Sequence, residues 1–327
     1  LRRGRGGLGD AAVSASRAGT AAPVDMTARL GSVELRNPVL TASGTFGYGT
    51  ELEPFLDLTK LGGFVAKSLT LAPRVGNPPP RIAEAVAGML NAISLENVGV
   101  DAFLAEKLPA LPAGTAVVAS AFGTAIEDYA EVCRRLDGAD KVVAIEINAS
   151  CPHVKEGGIE FGQSPRVLAE LVRAARAATA LPLWVKLSPN VTSIAEMAKV
   201  AEAEGADAVS LINSVQALDV DIETRRPVLA NGLGGLSGPA ILPIALRMVW
   251  QAAQAVSIPV CGIGGISDAR DAIKFLLCGA SAVQVGTANY LNPAVAGEVV
   301  DGVDAWCRAH RVARVADRVG TRDFPRR

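Results

Sequence analysis

At 327 residues, half of them hydrophobic and 20% charged, the chain has material for one large α/β barrel or two ordinary domains. A net charge of −1 and an aromatic share of 4% exclude the basic, aromatic-bearing surface of a nucleic-acid binder. Five cysteines (Cys133, Cys151, Cys261, Cys278, Cys307) without close pairs exclude a disulfide framework or a CxxC metal site, and point to a reducing, cytoplasmic compartment.

Residues 1–25 carry four arginines against two aspartates and contain no apolar run long enough for a signal-peptide core or a membrane span. They read as a disordered basic tail, with an upstream-extended start ahead of Met26 the simpler account over a targeting peptide. From residue 26 to 327 a single domain is expected. Its predicted strands are Val39–Ala42, Phe64–Lys67, Ala116–Ser120, Val142–Ile147, Leu183–Leu187, Ala208–Ile212, Val260–Gly262 and Ala282–Val285. Periodic apolar spacing predicts helices at Ile126–Leu136, Pro165–Ala178, Ile194–Glu204, Pro239–Ala255 and Ala269–Leu277. Several of the strands are apolar throughout, as in a parallel sheet covered on both faces. Eight such units predict an α/β fold of the (β/α)8 TIM-barrel type; the rival doubly wound sheet lacks its GxGxxG after the first strand. Two excursions, Thr70–Asn97 and Asn213–Gly238, interrupt the alternation at the C-terminal ends of strands, where barrel active sites are built.

Polar residues at strand ends carry the chemistry. Lys67 and Lys186 each end an apolar strand, in FVAKSLT and LWVKLSPN; a barrel mouth would collect them into one pocket suited to an anionic or electron-rich guest. Taken singly, each could equally be a lysine reaching out to solvent. VCGIGGISDAR places Gly262, Gly264 and Gly265 after the seventh strand, and SAVQVGTANY places Gly286 and Thr287 after the eighth. Turns of this kind in the last two barrel units bring backbone N–H groups against a phosphate, although tight turns alone also use glycine. In IEINASCPHVKEGG, Cys151 stands between a strand and a polar loop, with His153 two residues on. From the residues alone it is either a reactive thiol or a small buried hydrophobe.

NPVLTASGTFGYG, AKSLT, NAISLEN, EINASCPHVKEGG, KLSPN, DIETRRPVLAN, GGLSGPAI, GIGGI and QVGTA, in this order, resemble the dihydroorotate dehydrogenases from Leu30 to Cys307. The cysteine, KEGG and DIETRRPVLAN are similar to the class 1B catalytic subunit. That resemblance implies an FMN-containing (β/α)8 barrel oxidising dihydroorotate to orotate in pyrimidine (UMP) biosynthesis. Cys151 would be the base at C5 while hydride passes from C6 to the flavin, under a loop that opens and closes. Lys67 and Lys186 would lie against the flavin, Gly264, Gly265, Gly286 and Thr287 would hold its phosphate, and Ser43, Ser68, Ile212 and Gly238 would line its ring and ribityl chain. Asn91, Ala92, Ile93, Ser94, Leu95, Asn148, Asn213 and Ser214 match the family's orotate-contacting segments, Asn148 serving cofactor and substrate alike. Asparagine amides donate and accept together around a cyclic imide.

The resemblance further implies a homodimer core within a heterotetramer, an electron-transfer partner carrying FAD and a [2Fe–2S] cluster, and NAD⁺ as acceptor, with no membrane or nucleic-acid contact. The chain departs from many relatives at His153 and Ser120, where asparagine is usual, and at Ser94, where glycine is common. A fumarate-using class 1A-like enzyme, a dihydropyrimidine dehydrogenase-like flavoprotein and a catalytically silent flavin-binding barrel remain as alternatives.

Overall fold

The computed structural model describes residues 23–149 and 161–323. Among these residues eight strands close into one parallel barrel: β1 (Val39–Thr41), β2 (Gly63–Val65), β3 (Val117–Ala121), β4 (Val142–Asn148), β5 (Leu183–Leu187), β6 (Ala208–Leu211), β7 (Val260–Ile263) and β8 (Ala280–Val285). Each pairs with its successor and β8 pairs back to β1, so the expected TIM barrel is the observed fold. The β5 range is the predicted one; other strand ends move by one or two residues.

Side chains alternate in and out along each strand, which stacks the barrel interior in layers. The lowest layer is apolar, with Leu40, Val65, Val118, Ala144, Trp184, Ala208, Cys261 and Ala282 in one cluster. An antiparallel hairpin, Ala28–Leu30 with Val33–Leu35, packs Leu30 and Leu35 against that cluster and closes the N-terminal end. Gly31, at φ +63, supplies the left-handed residue its tight turn needs. Two residues further along their strands, Ser120, Glu146, Ser210 and Gln284 form a buried polar layer. Asn148, Ile212 and Gly286, two residues past Glu146, Ser210 and Gln284, reach the C-terminal mouth together with Lys67 and Lys186, two residues past Val65 and Trp184.

The two excursions turn out to be halves of one structure. The first folds as a hairpin, Ile82–Ala85 with Gly88–Asn91, and the second contributes Val215–Ala217 and Gly234–Ser237. All four strands pair antiparallel, Leu90 facing Leu236 and Asn91 facing Gly235, over a small core of Leu90, Ala92 and Leu229.

Helices Ile126–Leu136 and Pro165–Ala178 occupy their predicted residues. The helix expected over Pro239–Ala255 is instead a 3₁₀ turn, Pro239–Ile241, followed by an α-helix, Leu242–Ala253. Pro243, which has no N–H to donate, fits the first turn of that second helix. A final helix, Val295–Ala309, was not predicted. Asp25, assigned to the tail by composition, is tied to the far end of the chain: its N–H donates to the Ala313 carbonyl at 2.9 Å and its carbonyl accepts from Val315 N at 2.9 Å. Among the described residues no helix is long and apolar enough to cross a membrane.

Candidate active site

The barrel mouth opens into a cleft of about 1040 Å³, counted out to solvent. Its floor comes from strand ends. Lys186 extends from β5 into the cleft, only 4% exposed, and its Nζ donates to Ser43 Oγ at 3.1 Å. A buried ammonium held by a neutral hydroxyl is strongly desolvated, so the cleft favours an electron-rich or anionic guest. Lys67 follows β2 into the same cleft, its backbone N–H fixed on the Gly47 carbonyl at 3.0 Å.

Ser68, beside Lys67, accepts from Asn148 Nδ2 at 3.0 Å, and its Oγ lies 2.8 Å from Ser120 Oγ. Tyr129 fixes the backbone of Asn148 by donating its hydroxyl to the Asn148 carbonyl at 3.0 Å. Ser120 is absent from the cleft lining; the shorter side chain at this position supports Ser68 from below.

The glycine turns line the same cleft. Gly264 (φ +126) and Gly265 (φ +75) adopt backbone angles that L side chains rarely take. A Cβ on Gly265 would sit 2.9 Å from both the Gly238 carbonyl and Leu242 N, so the loop, Gly238 and the helix start are pressed together. At Gly286 the nearest protein atom to an added Cβ is 3.5 Å away, and such a carbon would project into the cleft. Thr287 Oγ1 donates to Ser237 Oγ at 2.8 Å, linking this wall to the excursion sheet. A backbone cradle that only glycine leaves open, in one cleft with a buried lysine, fits a phosphate-bearing, electron-rich cofactor such as FMN.

The excursion sheet roofs the cleft with Asn91, Ile93, Ser94 and Leu95, while Asn213 and Ser214 follow β6. Asn91 Nδ2 donates across the sheet to the Gly235 carbonyl at 3.4 Å, and Asn213 N–H donates to the Leu187 carbonyl at 3.2 Å. Ala92 does not reach the cleft: it is fully buried behind this wall, its carbonyl accepting from Asn77 Nδ2 at 2.8 Å. Ser94 holds φ +67, the conformation for which glycine is the common residue. Cys151 and His153 lie outside the described residues.

The remaining cysteines offer no reactive thiol. Burial pushes Cys133 up to about 12, and it also raises Cys261, Cys278 and Cys307. Each is therefore held as an unreactive thiol. Sequence reasoning missed Thr45, Met89, Ser237, Ile241, Ile263 and Tyr290 on the cleft wall. Ser237 and Tyr290 lie inside GGLSGPAI and next to QVGTA, so motif proximity was the available signal. Tyr290 donates its hydroxyl to the Gly44 carbonyl at 3.1 Å and half-closes the rim.

A parallel barrel with two lysines and two glycine turns at its C-terminal mouth defines the class, a barrel that binds a phosphate-bearing cofactor at its strand ends. A family model described as dihydroorotate dehydrogenase matches residues 26–306. A relative from Trichlorobacter lovleyi, named dihydroorotate dehydrogenase B (NAD(+)), catalytic subunit, is 55% identical over 296 residues, 90% of this chain and 97% of that one. One of the same name from Pelobacter propionicus is 54% identical over 297 residues, 90% and 98% of the two chains. The chain belongs to the dihydroorotate dehydrogenase family. A solved Eimeria tenella dihydroorotate dehydrogenase bound to ferulenol shares the fold, with TM-score 0.75 and 22% identity over 91% of this chain and 88% of that one.

Proposed function

We propose that this chain is the catalytic subunit of an NAD⁺-linked dihydroorotate dehydrogenase, oxidising dihydroorotate to orotate in de novo pyrimidine biosynthesis. The observation that carries the reading is the buried Lys186 ammonium, with Lys67, in a cleft walled by the glycine cradle and roofed by asparagine-bearing loops. FMN, bound there, supplies the hydride acceptor for the substrate C6. Gly264, Gly265, Gly286 and Thr287 hold its phosphate through backbone N–H groups. Ser43, Ser68, Ile212 and Gly238 border its ring and ribityl chain, and Lys67 and Lys186 place positive charge where reduction builds negative charge.

Asn91, Asn148 and Asn213, with Ser214, orient the pyrimidine ring by matching its alternating donors and acceptors, so an analogue lacking them leaves buried amides unpaired. Ile93, Ser94 and Leu95 cover the ring and exclude water. Cys151, three residues past Asn148, removes the C5 proton, a role a thiol fills as its thiolate.

Electrons leave through a partner subunit carrying FAD and a [2Fe–2S] cluster, on a homodimeric core within a heterotetramer, in the cytoplasm. Residues 26–327 serve as one catalytic domain, to which Asp25 is also joined. The test is orotate formation by the purified chain with and without the electron-transfer subunit, offering NAD⁺ or fumarate. NAD⁺ reduction should require the partner. Fumarate use by the chain alone would replace this reading with the class 1A-like one.

A further inference from the structure

Among the described residues two charged side chains are buried: Lys186, which lines the cleft, and Glu146, which does not. Glu146 stands on β4 two residues before Asn148, in the polar layer directly beneath the cleft floor. Its Oε2 accepts from Ser210 Oγ at 2.8 Å and from Gln284 Nε2 at 2.8 Å, while its Oε1 has no hydrogen-bond partner. Branched apolar side chains ordinarily fill this part of a barrel. A fully buried carboxylate needs an opposite charge as well as hydrogen bonds.

Lys186 is the other buried charge; it stands on the adjacent strand, with its Nζ bonded to Ser43 Oγ and not to Glu146. Ser210, which donates to Glu146, is the register partner of Lys186 on the neighbouring strand. Glu146 itself faces Trp184, two residues before Lys186 on β5. Both groups act on Cys261: burial pushes its thiol up, Glu146 adds to that push, and Lys186 opposes it.

We infer that Glu146 is a positioning residue of the flavin reaction: by opposing Lys186 from beneath, it limits how far the cleft stabilises negative charge on the reduced cofactor. The inference rests on FMN occupying the cleft. In a low-dielectric interior a nearby cation favours the reduced anion and a nearby carboxylate disfavours it. Two electrons leave dihydroorotate with the C6 hydride, the C5 proton goes to the base, and the electrons end on NAD⁺, a weak oxidant. Lys186 alone would hold them too tightly for that last transfer, and Glu146 restrains it.

The test is the midpoint potential of bound FMN in the holoenzyme, measured by anaerobic titration against a reference dye. Glu146→Gln keeps the shape and removes the charge. The variant should favour reduced flavin tenfold or more at a fixed poise, about 30 mV for a two-electron couple. NAD⁺ reduction through the partner should slow while flavin reduction by dihydroorotate persists. Glu146→Asp, retaining the charge, should return the midpoint toward wild type.

Should Glu146→Gln fail to fold, infrared spectra of wild-type holoenzyme with ¹³C-labelled glutamate decide the matter. A label-sensitive protonated-carboxyl stretch at neutral pH would mean that Glu146 carries no charge, and would overturn the inference; its absence supports it. A yellow Glu146→Gln enzyme with an unmoved midpoint overturns this inference alone. A wild-type chain that binds no FMN brings down the cofactor reading and the inference with it.

Discussion

The two ends of the barrel solve opposite problems with the same alternation of side chains. At the N-terminal end the inward positions are apolar, and a hairpin presses Leu30 and Leu35 into them. At the C-terminal end the same inward positions carry Lys67, Asn148 and Lys186, and a sheet of four short strands roofs them without filling the space. The difference teaches where each kind of free energy goes. One end removes apolar surface from water and supports stability; the other keeps polar groups desolvated and ready for a ligand.

Substitutions at each end should therefore separate activity from stability. The largest effect is expected at the mouth. Cys151→Ala should lower flavin reduction by dihydroorotate by about 10²–10⁴, the usual worth of a positioned base, with FMN still bound in stopped-flow absorbance. A colourless variant would show that the thiol supports the cofactor instead. At the closed end, Leu35→Ala deletes a fully buried side chain and should cost about 2–5 kcal/mol in urea unfolding, with kcat on folded enzyme close to wild type. A large fall in kcat without loss of stability would erase the division between the ends.

Smaller effects sharpen it. Ser94→Gly relieves a left-handed backbone worth about 1–2 kcal/mol, and glycine's greater freedom in the unfolded chain offsets about 0.5–1 of that. Thermal unfolding should show a gain of at most about 1.5 kcal/mol, obtained at the mouth, where polar arrangement currently outranks local stability. Asp137 works at the opposite end, between helix Ile126–Leu136 and β5. Its carboxylate accepts from Thr179 Oγ1 at 2.6 Å and Ala180 N at 2.8 Å, and the Thr179 hydrogen bond in particular holds it below the usual carboxylate range. Because its folded value is depressed, its contribution is complete above the ordinary aspartate pKa of about 3.9 and is lost as pH falls through the lower folded value. The Tm difference between wild type and Asp137→Asn should accordingly be small at neutral pH and vanish in acid.

What the sequence made legible follows from the range of each interaction. The barrel strands and the helices at 126–136 and 165–178 announce themselves by local apolar period, and the motif-bearing residues arrive at the mouth because period two puts them there. Helix Val295–Ala309 escaped because it contains Gly297 and Gly302, which usually count against a helix. Here they serve packing: an added Cβ would lie 2.7 Å from Leu56 Cδ1 and 2.4 Å from Ala269 Cβ, respectively. The roof was illegible for a different reason. Asn91 and Gly235 are paired strand residues with four of the eight barrel strands between them in sequence, and neither segment alone shows a partner. Ala92 sits inside a recognisable motif yet faces the roof's own core, which only the three-dimensional strand pairing reveals.

That roof has a consequence for the order in which the molecule assembles. A pairing that joins the second and sixth barrel units must wait until the intervening strands have brought its halves together, since closing so long a loop is entropically unfavourable before the barrel exists. The clasp over the cleft thus closes last and, resting on a core of three buried side chains, is the natural first part to open. The barrel beneath it rests on a separate and far larger core, so the two parts of the molecule need not lose their packing together.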